Sequence, residues 1–195
     1  MLHAISGLVP WFTPASLKGE ISIAGESVTD LDPGQRAHLI STCLDRPESQ
    51  LFLATVAQEI EAATRLYGSS TFAREVVDAL GIGPLLEQRV TVRSSGVRQR
   101  AARAVCLTGC PRPVLLDEPT AHLDAEAEGA LADLLQRAGE RGSPLIVAEQ
   151  APWRLGGSVT AWRRVDYGRI RRAETPRPPV VEPPGHEPGE RIVLS

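Results

Sequence analysis

The run Pro113-Val114-Leu115-Leu116-Asp117-Glu118 constrains the fold of this chain more than any other stretch. Four apolar residues lead straight into two adjacent carboxylates. A continuous apolar run of this length suits a strand of a parallel sheet covered on both faces. Two acids at the end of a core element cost several kcal/mol unless a cation or hydrogen bonds compensate them. The pattern therefore predicts a buried strand that delivers Asp117 and Glu118 to a place for a cation and water. The alternative, a pair of acids capping a helix, fits Pro119 poorly, because it falls where the first helical turn would begin.

Apolar strands alternate with helical runs along 195 residues, enough for one domain with a real core, and predict an α/β layer structure. The formal net charge is −3, with acids and bases intermixed, which gives no basic footprint for nucleic acid. No apolar stretch has the length to span a bilayer, and no charged-then-apolar leader opens the chain, so the expected location is the cytosol, with any membrane link made through a partner. Three cysteines, Cys43, Cys106 and Cys110, are a sparse set that suits reduced thiols. Cys106 and Cys110 share a helical face at i and i+4, but without a second ligand pair they read as small buried hydrophobes. His3, His38, His122 and His186 are scattered and read as structural or solvated.

Leu2 to Leu8 carries helical periodicity. Lys18 to Gly25 alternates apolar with polar positions and ends in a glycine turn, as an edge hairpin does. Asp30 to Gln35 reads as a turn-rich connector, and Ile40 to Cys43 as a short strand. Thr55 opens a helix with a capping box to Gln58, and a second helix spans about 71–80. Gly81-Ile82-Gly83-Pro84 is a turn, since it follows a helix and lacks a third glycine. Ala125 to Gly139 is a helix with Leu131, Leu134 and Leu135 on its sheet side, making a parallel crossover into the next buried strand, 144–150. Within 159–172, Asp166-Tyr167-Gly168-Arg169 reads as a hairpin turn. Beyond Ala173, six prolines interspersed with Glu and Arg form a linker or tail (173–195). Its last residues, Arg191 to Ser195, regain strand character.

Upstream of the acidic strand stand Arg93-Ser94-Ser95-Gly96-Val97-Arg98-Gln99-Arg100 and an Ala-rich helix, and downstream stand Pro119-Thr120-Ala121-His122-Leu123-Asp124. In this order and spacing they resemble the ATP-binding cassette (ABC) family. Ser94, Ser95, Gly96 and Val97 fall on the second to fifth positions of its Leu-Ser-Gly-Gly-Gln signature. Asp117-Glu118-Pro119-Thr120 resembles the end of its Walker B strand, and Leu123-Asp124 its D-loop. Leu44 to Phe52 resembles the Q-loop, and 144–150 the strand that carries the switch histidine. The wording Pro-Glu-Ser-Gln-Leu-Phe is most similar to the energy-coupling-factor branch of importers.

The resemblance implies residues 1–172 as a partial nucleotide-binding domain of P-loop type, mostly parallel, with a small helical subdomain at about 55–92. It implies ATP and Mg2+ as cofactors, a second cassette and a transmembrane subunit as partners, and a peripheral position on the inner face of the cell membrane, while the charge balance implies no nucleic acid. Glu118 would be the general base, Gln150 occupies the switch-histidine position, and Asp117 and Asp45, the latter at the Q-loop position, would face magnesium. Ser94, Ser95 and Gly96 would act on a partner's nucleotide in trans, beside Asp124. The single lysine, Lys18, comes after Leu17 and not after a glycine-rich loop, so no Walker A loop is present, and Leu2 to Leu8 resembles the segment on the carboxyl side of that loop. A chain of this kind is expected to be inactive alone. Asp45, Val97 and Gln150 depart from the family pattern, and they suit a non-catalytic cassette that lends its signature face to a competent partner.

Overall fold

The computed structural model describes residues 1–44, 46–67, 70–90, 94–110 and 112–178. The chain opens with two short helical turns, α1 (Leu2–Ile5) and α2 (Leu8–Trp11). The single helix expected over Leu2 to Leu8 breaks at Gly7, whose φ of +85° is left-handed. A minimal hairpin comes next, β1 (Ser22–Ile23) and β2 (Glu26–Ser27), turning through Gly25.

The expected connector at 30–35 contains a further helical turn, α3 (Pro33–Arg36). Asp32 accepts from the Gln35 backbone N–H at 2.9 Å, and the Gln35 side chain accepts from the Asp32 N–H at 3.0 Å, a reciprocal capping box. This turn places Arg36 in the interior. Its guanidinium donates to the carbonyls of Ala4, Ile5, Thr29 and Leu31 at 2.6–3.0 Å. One fully buried cation thus ties α1 to the loop after β2.

Strand β3 (Ser41–Cys43) then enters the main sheet. Helices α4 (Val56–Tyr67) and α5 (Ser70–Ala79) form a small helical layer, and Thr55 and Gln58 make the expected capping box. Helix α6 (Ser95–Leu107) ends before Cys110, so Cys106 and Cys110 do not share one helix; Cys110 lies in the turn beyond it. Both are buried free thiols. Strand β4 (Val114–Asp117), helix α7 (Ala125–Glu140) and strand β5 (Leu145–Ala148) complete the α/β unit.

The sheet order is β3-β4-β5, all parallel, with Cys43 beside Leu116 and Asp117 beside Ala148. Val114, Leu115 and Leu116 are at most 1% exposed, and Leu131, Leu134, Leu135 and Ala138 of α7 are equally buried. The strand expected at 144–150 is only half-buried, and Ile146 is exposed. Among the described residues β5 pairs with β4 alone, which leaves its outer side open.

Residues 1–160 form one compact unit, and residues from Ala161 onward a second. The second unit contains the antiparallel hairpin β6 (Trp162–Asp166) and β7 (Arg169–Ala173). Tyr167 and Gly168 both have positive φ at its two-residue turn, as a type I′ turn requires.

Candidate functional site

Parallel strands put their carboxyl ends on one edge of the sheet, the side on which open α/β sheets bind ligands. Here that edge carries Cys43, Asp117 and Ala148. Beyond Asp117, the Glu118 N–H still donates to the Ala148 carbonyl at 2.8 Å. Glu118 itself takes a left-handed φ of +46°, a strained conformation for a residue with a side chain. The chain thereby turns out of the sheet at the second carboxylate.

The Gln150 side-chain amide donates to Oε1 of Glu118. The two residues that the sequence nominates as base and switch are therefore in direct contact across the ends of β4 and β5. An amide here is a neutral donor that cannot gain or lose a proton near neutral pH.

Glu149 holds this arrangement from below. Its Oε2 accepts from the Thr120 hydroxyl at 2.7 Å and from the Thr120 N–H at 3.2 Å, and its Oε1 accepts from the Ala151 N–H at 3.1 Å. One carboxylate thus staples the loop after Glu118 to the segment that carries Gln150. Arg103, on α6 and 4% exposed, donates to the Ala121 carbonyl at 2.9 Å. Burial lowers the pKa of its guanidinium, and Cys43, Glu48 and Glu149 oppose that effect. The Thr120–Ala121 backbone is thus gripped by a cation on α6 and an anion beside Gln150. Sequence reasoning assigned a role to neither Glu149 nor Arg103, although Thr120 lies in the Asp-Glu-Pro-Thr motif.

Asp124 caps α7, its carboxylate accepting from the Ala127 N–H at 2.9 Å. Ser94 is the N-cap of α6, with no cap bond from its side chain, and Ser94, Ser95 and Gly96 are all exposed. A Cβ at Gly96 would meet nothing within 4 Å, so this chain's own packing does not demand the glycine. Asp45 lies outside the described residues. Five residues further along the sequence, Gln50 donates to the Thr42 carbonyl at 2.9 Å and accepts from the Leu44 N–H at 3.2 Å, continuing the hydrogen bonding of β3 past its end. Glu59 accepts from the N–H groups of Phe52 and Leu53.

Among the described residues no group of three or more His, Cys, Asp or Glu could hold a metal by itself. Magnesium does not require such a group, because it is commonly held by one or two carboxylates together with substrate phosphates and water.

No family model matches the chain. An ABC transporter ATP-binding protein of Streptomyces avermitilis is 33% identical over 155 residues, covering 76% of this chain and 28% of the relative. One of Streptomyces coelicolor is 32% identical over 155 residues, with the same coverage. One of Saccharolobus solfataricus is 25% identical over 175 residues, 87% of this chain and 33% of that protein. Its homologues are ABC transporter ATP-binding proteins. The chain spans only about a third or less of the length of these relatives.

The fold is that of an ABC ATPase. The structure of cbiO1 from Clostridium perfringens, part of the ABC transporter complex cbiONQ, matches with a TM-score of 0.54 at 24% identity, covering 75% of this chain and 60% of that one. The archaeal ribosome recycling factor aABCE1, solved with the stalk protein aP1, matches with a TM-score of 0.52 at 24% identity, covering 60% of this chain and 22% of that one.

Proposed function

We infer that this chain is an ATP-binding part of an ABC importer resembling the energy-coupling-factor kind, working at the inner face of a membrane with a transmembrane subunit and a second cassette. The contact of Gln150 with Glu118 at the carboxyl end of β4 carries the reading. It joins the two positions at which such a site would orient and deprotonate water, in a chain whose homologues bind ATP.

Glu118 would accept the proton of the attacking water, a role worth about 10²–10⁴-fold in rate. Gln150 fixes which carboxylate oxygen is engaged, leaving Oε2 of Glu118 for water. Asp117, with Asp45 by its position, would hold Mg2+, which when bound neutralises charge on the phosphates. Ser94 and Ser95, with the backbone at Gly96, would meet an anion at the amino end of α6, where the helix carries about half a positive charge. The only lysine lies outside any glycine-rich loop, so the residues present offer nucleotide few charge-assisted bonds, each worth roughly 1.5–3 kcal/mol. On its own the chain should bind Mg-ATP weakly and turn it over negligibly.

A second reading, a cassette that lends only its signature face, is favoured by the neutral amide of Gln150 at the switch position. Titration of the chain into a competent cassette separates the two. Turnover that needs Ser94 of this chain but not Glu118 supports the lending role, and turnover that needs both supports a working site. If neither Ser94→Ala nor Glu118→Gln alters turnover in the mixture, the functional reading fails.

A further inference from the structure

The second unit carries a feature the nucleotide site does not use. The β6–β7 hairpin holds five arginines, Arg163, Arg164, Arg169, Arg171 and Arg172, against one acid, Asp166, in a chain whose formal net charge is −3. The register sets Arg163 opposite Arg172 and Arg164 opposite Arg171. Like charges directly opposite one another destabilise a strand pair, and a lone two-stranded hairpin is marginal in water even without them. Among the described residues none of the five arginines is in an ion pair. The hairpin therefore concentrates positive charge against its own stability, which is the sign of a local cost kept for an external ligand.

The alternation of side chains gives that ligand a shape. Arg163 opposite Arg172 and Val165 opposite Ile170 share one face, so an apolar cross-strand pair lies between an arginine pair and the turn. Val165 is 62% exposed and Ile170 is 49% exposed, and Tyr167 stands fully exposed at the turn. A pair of guanidinium groups, then an apolar pair, then a tyrosine at the tip is an order that matches the boundary of an anionic bilayer. There, apolar side chains enter the headgroup region, aromatic rings settle at its level and arginines meet lipid phosphates.

We propose that the β6–β7 hairpin is an anionic-membrane-binding element, holding the chain against the lipid headgroups beside the transporter. The choice of a bilayer over nucleic acid rests on the apolar pair and the tyrosine, which a phosphate backbone would leave unused. It also rests on the membrane setting of the function inferred above. The binding itself requires no nucleotide and no second cassette, so it is tested apart from that function.

The test is co-sedimentation of the full chain with vesicles of phosphatidylglycerol and phosphatidylcholine, and with vesicles of phosphatidylcholine alone, across a salt titration. The expected result is binding to the anionic vesicles only, weakening as salt rises. Arg163→Gln, Arg164→Gln, Arg171→Gln and Arg172→Gln should each lower the partition coefficient by roughly fivefold at low salt. Tyr167→Ser and Val165→Ser should lower it while leaving the salt dependence unchanged, because they remove insertion and not charge. These changes lie on an exposed hairpin, and circular dichroism of each variant verifies that the remaining unit stays folded. Equal sedimentation with both vesicle types, no sedimentation with either, or retention of duplex DNA in place of vesicles would overturn the proposal.

Discussion

Glu149 spends both carboxylate oxygens on donors from two different loops, and hydrogen bonds to an ionised group are among the stronger single contributions in a fold. Glu149→Ala should lower unfolding free energy by roughly 2 kcal/mol in urea titration, whereas Gln150→Ala, at an exposed side chain, should change it by less than about 0.5 kcal/mol. A comparable loss in both variants would contradict the staple described above. Arg36 poses the same question in the interior. Arg36→Leu would leave four carbonyls without their donor, and a cost of about 3 kcal/mol or more is expected in the same titration. Arg36→Lys should recover only part of it, since one ammonium cannot reproduce the guanidinium fork. Neither residue was legible in advance. A charged side chain in a sequence reads as surface, and only the positions of α1, α3 and the loop after β2 reveal that Arg36 faces a cluster of carbonyls. Asp117, Glu118 and Gln150 were legible as candidates because their neighbours form a spaced motif, yet the contact of Glu118 with Gln150 came only with the pairing of β4 and β5.

At the scale of elements, the caps were the most readable signals. Thr55 with Gln58 behaves as its spacing predicts, because a capping box is local chemistry complete within four residues. The capping role of Asp124, in contrast, belongs to the structure, because in sequence the residue reads as part of the D-loop motif. Asp124→Ala should cost about 1 kcal/mol and Asp124→Asn very little, as read by thermal melting. Helix α6 is docked on β3 by short-range contact: the Ser41 hydroxyl donates to the Cys106 carbonyl at 2.8 Å and lies 3.3 Å from its Sγ. Gly109 permits this closeness, since a Cβ there would come within 3.0 Å of Ser41 Cβ. A side-chain hydrogen bond with Cys43 and burial raise the pKa of the Cys106 thiol well above its ordinary value. The unfolded chain releases that proton above about pH 8.5 while the folded chain keeps it. The stability this thiol contributes is therefore complete below that pH and is lost as pH rises further. Denaturation midpoints measured between neutral pH and the alkaline limit should fall across that window, and Cys106→Ala should flatten the fall. An equal slope in the variant would assign the effect to other groups.

At the scale of the molecule, every buried apolar side chain among the described residues belongs to the first unit, from Leu2 to Leu155. A chain ending at Thr160 should therefore keep its cooperative thermal transition within a few degrees of the full chain, as followed by circular dichroism. A large drop would mean that the hairpin shares the core. The linker expected from Ala173 onward, six prolines among charged residues, has no comparable apolar content to contribute. The alternation of apolar strands with amphipathic helices, read from composition and period alone, determined the α/β class. The order of serine-glycine cap, acidic strand end and downstream Leu-Asp determined which chemistry to look for, because those signals are local and survive in one dimension. How many neighbours each strand has is a property of space. The run 144–150 is as apolar as a central strand and predicts burial, but β5 pairs with β4 alone among the described residues and Ile146 stays in water. Tertiary structure alone decided that Gln150 rests on Glu118, that Glu149 and Arg103 grip the loop between them, and that an interior arginine fastens the first helical turn, since each joins groups whose separation along the chain carries no trace of their meeting.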